Sequence, residues 1–392
     1  MRTICVVTGS RAEYGLLFPL LREIKSDSEM RLQLVVTGMH LSPEFGYTYR
    51  QILEDGFIID DKVEMLLSSD TPIGITKSMG VALLGFADVF NRLKPDIIVL
   101  LGDRYEIMAA AQAAMIAKIP IAHLHGGEST EGALDEAIRH SITKMSQLHY
   151  VSTETYRKRV IQLGEQPDRV FNVGAIGLDN IRSLQLLSKS EFEQAIDFRL
   201  GERNFLVTYH PVTLHERDSE QLVRELLLAL DHFDDAKIIF TKPNSDTDGR
   251  IIGQLIDHYV QSHPGRAAAY YSLGTLRYLS ALQHVDVVIG NSSSGIIEAP
   301  AFRKPTVNIG NRQKGRIKGR SIIEAEEHHD AIKQAISTAL DPHFIEANVK
   351  CGNHVYGDGM TAPRIKQSLK TVNLEGILQK AFYDVGWQED KI

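Results

Sequence analysis

Carboxylates and histidines recur in this chain directly after short apolar runs, where a strand end can aim a side chain into a cleft. Leu101-Gly102-Asp103-Arg104-Tyr105-Glu106 ends the run Ile97–Leu101 and starts a helical pattern. His123-Leu124-His125-Gly126-Gly127-Glu128 ends the run Ile119–Leu124, and Asp135-Glu136 leads into Ile138-Arg139-His140. Carboxylates at successive strand ends converge on one cleft, so Asp103, Glu128, Asp135 and His125 form a candidate acid/base set. The alternative for Asp103 is an ordinary helix N-cap. Neither an i, i+4 His pair nor a carboxylate-rich oxygen cage is present, so no metal is expected.

A second group of segments suits a phosphate. Gly290-Asn291-Ser292-Ser293-Ser294-Gly295 follows the run Asp286–Ile289 and precedes a helix that carries Glu298. Small residues there expose backbone N–H groups at a helix start, and Glu298, one turn on, can take two ribose hydroxyls. A plain cap with a solvated glutamate is the alternative. Tyr209-His210-Pro211-Val212-Thr213 ends another strand-like run, so His210 either faces a phosphate oxygen or is a structural histidine. Thr8-Gly9-Ser10-Arg11-Ala12-Glu13-Tyr14-Gly15 follows the first run. Arg11 is either a guanidinium aimed at a diphosphate or a surface residue on a capping turn. No G-x-G-x-x-G follows a strand, so an NAD cofactor has no support and no cofactor is expected.

These residues must be held by a scaffold, and its pattern is readable. Strand-like runs fall at Ile4–Thr8, Leu32–Thr37, Ile97–Leu101, Ile119–Leu124 and Leu148–Val151, then at Phe205–Tyr209, Lys237–Thr241, Asp286–Gly290 and Thr306–Ile309. Their continuous apolar character indicates strands buried on both faces, as in a parallel sheet. Helical patterns at Tyr105–Ala117, Asp135–Gln147, Gln221–Leu230 and Ile332–Leu340 alternate with them, which reads as doubly wound α/β. A length of 392 residues exceeds one hydrophobic core, so two Rossmann-type domains are expected: 1–178 and 179–365, with a helix in 366–392 crossing back. The last thirty residues read as helix.

A net charge of −7 argues against nucleic acid as a partner. Two cysteines, Cys5 and Cys351, suggest neither a disulfide framework nor a zinc site. No signal-peptide pattern opens the chain, and its apolar runs fall short of the roughly twenty residues that span a bilayer. A reducing, cytoplasmic setting without membrane association is expected.

Together SRAEYG, GDRYE, HGGE…LDEAIRH, YHPVT, GNSSSGIIE and NIGNRQKGR resemble the hydrolysing UDP-N-acetylglucosamine 2-epimerases, over nearly the whole chain. The resemblance implies a GT-B-like fold, with UDP held mainly by the C-terminal domain. It implies UDP contacts at Arg11, Arg104, His210, Asn244, Ser292, Ser293, Glu298 and Arg312, with backbone at Ser272 and Leu273 meeting the uracil. The acid/base carboxylates fall on Asp103 and Asp135. Some relatives carry a catalytic Glu where this chain has His125, so either His125 takes that role or Glu128 reaches in. At Glu13 some members have Asp. The implied reaction eliminates UDP to a 2-acetamidoglucal and hydrates it to free N-acetylmannosamine, for sialic acid synthesis. Alternatives are a hydrolysing epimerase of UDP-2,4-diacetamido-2,4,6-trideoxyglucose, a non-hydrolysing epimerase, a glycosyltransferase, or a silent nucleotide-sugar binder. The family's habit implies a homodimer or homotetramer.

Overall fold

A computed structural model describes residues 1–67, 71–130, 134–210, 219–242, 249–271, 273–350 and 355–386. The chain forms two compact units. One comprises Met1–Glu128, Leu134–Asn180 and the segment from Tyr356 onward, and the other contains Ile181–Val355.

The first unit has strands β1 (Arg2–Thr8), β2 (Met30–Thr37), β3 (Asp61–Val63), β4 (Ile97–Leu101), β5 (Ile121–Leu124), β6 (Leu148–Val151) and β7 (Val170–Asn172). They lie in the order β3-β2-β1-β4-β5-β6-β7, every pair parallel. The second has β8 (Arg203–Thr208), β9 (Ala236–Thr241), β10 (Ala267–Tyr270), β11 (Val287–Gly290), β12 (Thr306–Ile309) and β13 (Ile322–Ala325). Their order is β10-β9-β8-β11-β12-β13, again parallel throughout. Both are the doubly wound order in which ligands bind where the winding reverses. The reversal falls between β1 and β4 in one sheet and between β8 and β11 in the other.

Continuous apolar runs follow from helices covering both faces of each sheet. In β1, Ile4 and Val6 enter one core while Cys5 and Val7 enter the opposite one. In β11, Val287 and Ile289 face one layer and Val288 the other. The pleat thus sends alternate side chains to two buried layers, and apolar residues are favoured at both faces. All nine runs expected as strands are strands. The four strands not foreseen, β3, β7, β10 and β13, are the four sheet edges. Each has three or four residues and is only partly buried, so it needs no apolar run.

The helices Tyr105–Ile116, Leu134–Met145, Ser219–Leu230 and His329–Leu340 begin and end within three residues of the expected bounds. The helix Pro72–Leu93 is long and apolar enough to cross a membrane by length and composition, a feature that no single uninterrupted run revealed. Its residues Ala82, Phe86, Val89 and Phe90 belong to the core of the first unit.

The C-terminus departs from expectation. The returning segment starts at Tyr356, ahead of residue 366, and its helix is only Thr361–Thr371. Val372 is extended and Gly376 has φ +68°, so the backbone cannot continue helically into the tail. Asp179 receives the amides of Thr361 (3.0 Å) and Ala362 (2.7 Å), satisfying the start of that helix. Beyond it, the Lys380 ammonium donates to the carbonyls of Lys144 (2.7 Å) and Ser146 (2.8 Å), at the C-terminal end of the Leu134–Met145 helix. Lys380 also meets Glu165, a buried carboxylate that further receives Lys144 and His149. Burial alone would raise that carboxyl, but hydrogen bonds from His149, Lys144 and Lys380 outweigh it and hold it down at about 2.

Candidate functional site

The first unit's site residues cluster where β1, β4 and β5 end. Asp103 is not a helix cap. The N-cap of the Tyr105–Ile116 helix is Arg104, which makes no side-chain cap bond. Asp103 pairs instead with the guanidinium of Arg139, which is 1% exposed. The same guanidinium donates to the Glu128 carbonyl (2.8 Å) and to Glu136 (3.0 Å). One buried cation therefore ties the end of β4, the turn after β5 and the start of the Leu134–Met145 helix together. Asp135 lies in the first turn of that helix, exposed and one turn ahead of Arg139.

His125 occupies a left-handed conformation, φ +63°, at the turn after β5. A non-glycine residue there is strained by roughly 1–3 kcal/mol, and such strain collects at functional sites. The following turn requires Gly127, since a Cβ there would sit 2.5 Å from the Tyr156 carbonyl oxygen. His125 Nδ1 donates to Glu128 Oε1 (2.8 Å), and Nε2 faces the Ile176 amide at 3.5 Å. Glu128 is 3% exposed and also accepts the Ser152 hydroxyl (3.1 Å). Of this pair, His125 is the more open to solvent, with 15% of its side chain exposed against 5%. His123 is a buried structural residue. It donates to the Gly102 carbonyl (2.8 Å) and accepts from Thr143 (3.1 Å), and burial lowers its pKa to about 3.

Arg11 is exposed at the first residue of its helix, Arg11–Lys25. Arg104 is gripped at Nε by the buried Glu106, leaving 40% of its side chain exposed.

The second unit's residues gather at the ends of β8, β11 and β12 around Asn291, which is fully buried. Its side chain receives the His210 amide (2.7 Å) and donates to the His210 carbonyl (2.8 Å). Its own carbonyl receives Arg312 (2.9 Å) and Gln313 (2.8 Å). Burial first, and then the charge of Arg312, lower the His210 pKa to about 4, so the imidazole is neutral at pH 7. Ser292 and Ser293 precede a single helical turn, Ser294–Ile297, and Glu298 caps its end. A helix this short lends little dipole, so any phosphate binding falls to local amides and the nearby cations. Leu273 buries its side chain in the core, and its carbonyl receives Arg277 (2.7 Å). Asn244 and Ser272 lie outside the described residues, as do Pro211 to Thr213.

Residues without a role in the sequence reading thus organise both halves: Arg139, Glu106, Ser152, Asn291 and Gln313. All but Ser152 stand inside the motifs that carry the resemblance, but nothing local marked them as hubs.

Comparison with known proteins places the chain. The family model described as UDP-N-acetylglucosamine 2-epimerase matches residues 22–370. A Campylobacter jejuni protein named GDP/UDP-N,N'-diacetylbacillosamine 2-epimerase (hydrolyzing) is 43% identical, covering 98% of this chain and 99% of its own. An Escherichia coli protein named polysialic acid biosynthesis protein P7 is 40% identical, covering 98% of both. The crystal structure of UDP-GlcNAc 2-epimerase from Neisseria meningitidis bound to UDP-GlcNAc superposes with a TM-score of 0.80 at 18% identity, over 94% of this chain and 99% of that one. That similarity identifies the fold as GT-B-like. With its motifs in order over almost its full length, the chain belongs to the hydrolysing UDP-N-acetylglucosamine 2-epimerase family.

Proposed function

We propose that this protein hydrolyses a UDP-2-acetamido sugar with inversion at C2, by elimination and then hydration. The observation that carries the reading is the cluster of Asp103, Arg139, Glu128 and His125 at the ends of β4 and β5. The C2 proton is not activated by a carbonyl, so simple exchange at C2 is too slow. Elimination solves this: a base removes the C2 proton as the C1–O bond breaks, giving a glycal and UDP. Water then adds at C1 while a proton reaches C2 from the opposite face, and the free sugar leaves.

UDP departs more easily next to positive charge and donors, for which Arg11, Arg104, Arg312, neutral His210 and the Ser292 and Ser293 amides are the candidates. Asn244, Ser272 and Leu273 are proposed at the nucleoside, with Glu298 on the ribose. Asp103 and Asp135 serve as acid/base groups. His125 takes the third role, with Glu128 orienting the ring through Nδ1, because Glu128 is the more buried and already engaged.

The relative at 43% identity favours UDP-N,N'-diacetylbacillosamine, a 2,4-diacetamido-6-deoxy sugar, as the substrate. UDP-N-acetylglucosamine, giving N-acetylmannosamine for sialic acid synthesis, is the second reading, favoured by the relative named for polysialic acid. NMR of the EDTA-treated protein with each nucleotide sugar in D2O tests all of this. Free 2-epimerised sugar deuterated at C2, together with UDP, is expected. A UDP-linked epimer would show a non-hydrolysing enzyme, and UDP release without C2 deuteration would refute the mechanism.

A homo-oligomer is supported by exposed apolar residues on neighbouring helices of the first unit: Leu84 (74% exposed), Met115 (46%) and Ile116 (77%). Sedimentation of a monomer at micromolar concentration would overturn it.

A further inference from the structure

Two buried carboxylates beside the proposed diphosphate site have no place in the reaction above. Glu13 and Glu106 sit in the first turns of the helices that follow β1 and β4, on either side of the reversal in strand order. They are 5% and 1% exposed. Glu13 Oε2 accepts the Gly9 amide (2.8 Å), and Glu106 Oε1 accepts from Arg104 Nε. The second oxygen of each, Glu13 Oε1 and Glu106 Oε2, is buried with no hydrogen-bond partner. Gly9 is the floor of this arrangement: a Cβ there would lie 2.6 Å from Glu106 Oε1. Arg104 pairs through Nε with Glu106 and lies within the electrostatic reach of Glu13, its Nη2 meets Met39 Sδ at 3.7 Å, and 40% of its side chain is exposed.

We propose that Glu106 and Glu13 are positioning residues for the diphosphate. Glu106 locks Arg104 through Nε so that its outer nitrogens point to the ligand, and Glu13 is held as the neutral acid so that Arg104 keeps its charge for the phosphate. This rests on the reading of Arg104 as a UDP contact. Burial of two acids against one guanidinium leaves one of them without a counter-charge, and the cheaper state carries a proton. Glu13 is the one raised, to about 8, by burial first and by Glu106 among the other causes. The other groups facing it do not titrate near that value. His40, between Thr8 and Thr48, is lowered by burial to about 4, and the Tyr105 phenol is raised by burial. Arg104 stays charged, because the Glu106 carboxylate, by its charge and its hydrogen bond, outweighs the cost of burial.

The test is UDP binding by calorimetry from pH 7 to 8.5, above the phosphate's own titration near pH 6 and that of His210, and below that of the uracil N3–H. Wild-type affinity is expected to fall about tenfold as Glu13 ionises, the scale of one added charge several ångströms from the phosphate. Glu13→Gln should bind UDP as wild type does at pH 7 and stay flat to pH 8.5. Glu106→Gln should bind about tenfold more weakly than wild type at pH 7, since Arg104 loses its anchor. A flat wild-type profile, a Glu13→Gln profile as steep as wild type, or full affinity in Glu106→Gln would each overturn the proposal. The wild-type titration needs no variant to fold. Wild type that binds no UDP at any pH would instead remove the UDP-sugar reading itself.

Discussion

Replacing Gly290 by alanine tests whether the loop after β11 is a built phosphate cradle. Gly290 has φ +131°, a region closed to side chains, and it pairs with Thr208 across β8. A Cβ there would lie 1.9 Å from the Thr208 carbonyl oxygen, so the two strand ends must part by roughly 1 Å to reach even the tightest real contact. That movement breaks the Asn291 amide bond to the same carbonyl (3.1 Å). Backbone strain of about 1–3 kcal/mol and one lost hydrogen bond of about 1 kcal/mol give a destabilisation of about 2–4 kcal/mol. The displacement also reaches Asn291, on which His210, Arg312 and Gln313 depend. A misplacement of about 1 Å can cost about 100-fold, so UDP affinity should fall on that scale. Urea denaturation reads the first effect and calorimetry the second. Gly253→Ala is the control: it has open space around it in the Gly249–Ser262 helix and should stabilise by about 0.5–1 kcal/mol. Gly290→Ala with wild-type stability and wild-type UDP affinity would refute the argument.

Asp103→Asn should leave UDP affinity near wild type while turnover falls by about 10²–10⁴-fold, and unchanged turnover would remove Asp103 from the chemistry. His210→Ala should weaken UDP binding by about tenfold, read by calorimetry at pH 7.5, where the ring is already neutral. Glu165 has its folded pKa depressed to about 2, so its contribution to stability is complete above about 4.5 and disappears as pH falls toward 2. Thermal melts of Glu165→Gln should show a loss of about 3 kcal/mol at pH 7 that shrinks on acidification across that window, and an equal loss at pH 2.5 would contradict it.

The sequence displayed the interior of both sheets because a strand between two neighbours and two helix layers is buried on both faces and so is mostly apolar. It concealed β3, β7, β10 and β13 because an edge strand is satisfied by three or four half-buried residues. Candidate positions could be named where a motif sits at a strand end: Asp103, His125, His210 and Ser292 all lie there. What holds those residues was not. Arg139 reaches Asp103 across 36 positions and Asn291 reaches His210 across 81, and no local pattern encodes such pairings. The Asp103 capping alternative failed for a similar reason, since its partner comes from a distant helix. The question of His125 against Glu128 gained a physical basis only when burial and the Nδ1 bond were in view.

The return of the chain to the first unit has a consequence for biosynthesis. Ala362, Ile365, Leu369 and Ile377 are buried in the core beneath β1 and β2, although more than 300 residues separate them from those strands. A ribosome making this protein releases β1 long before the layer that seals it. The second unit lies wholly ahead of Tyr356 in sequence and is complete before then. Domains usually mature in the order of their synthesis. Here the later-made half can finish first, while the earlier-made half waits with an apolar flank uncovered, a natural client for a holding chaperone and a natural point of failure for a nonsense mutation between residues 355 and 377.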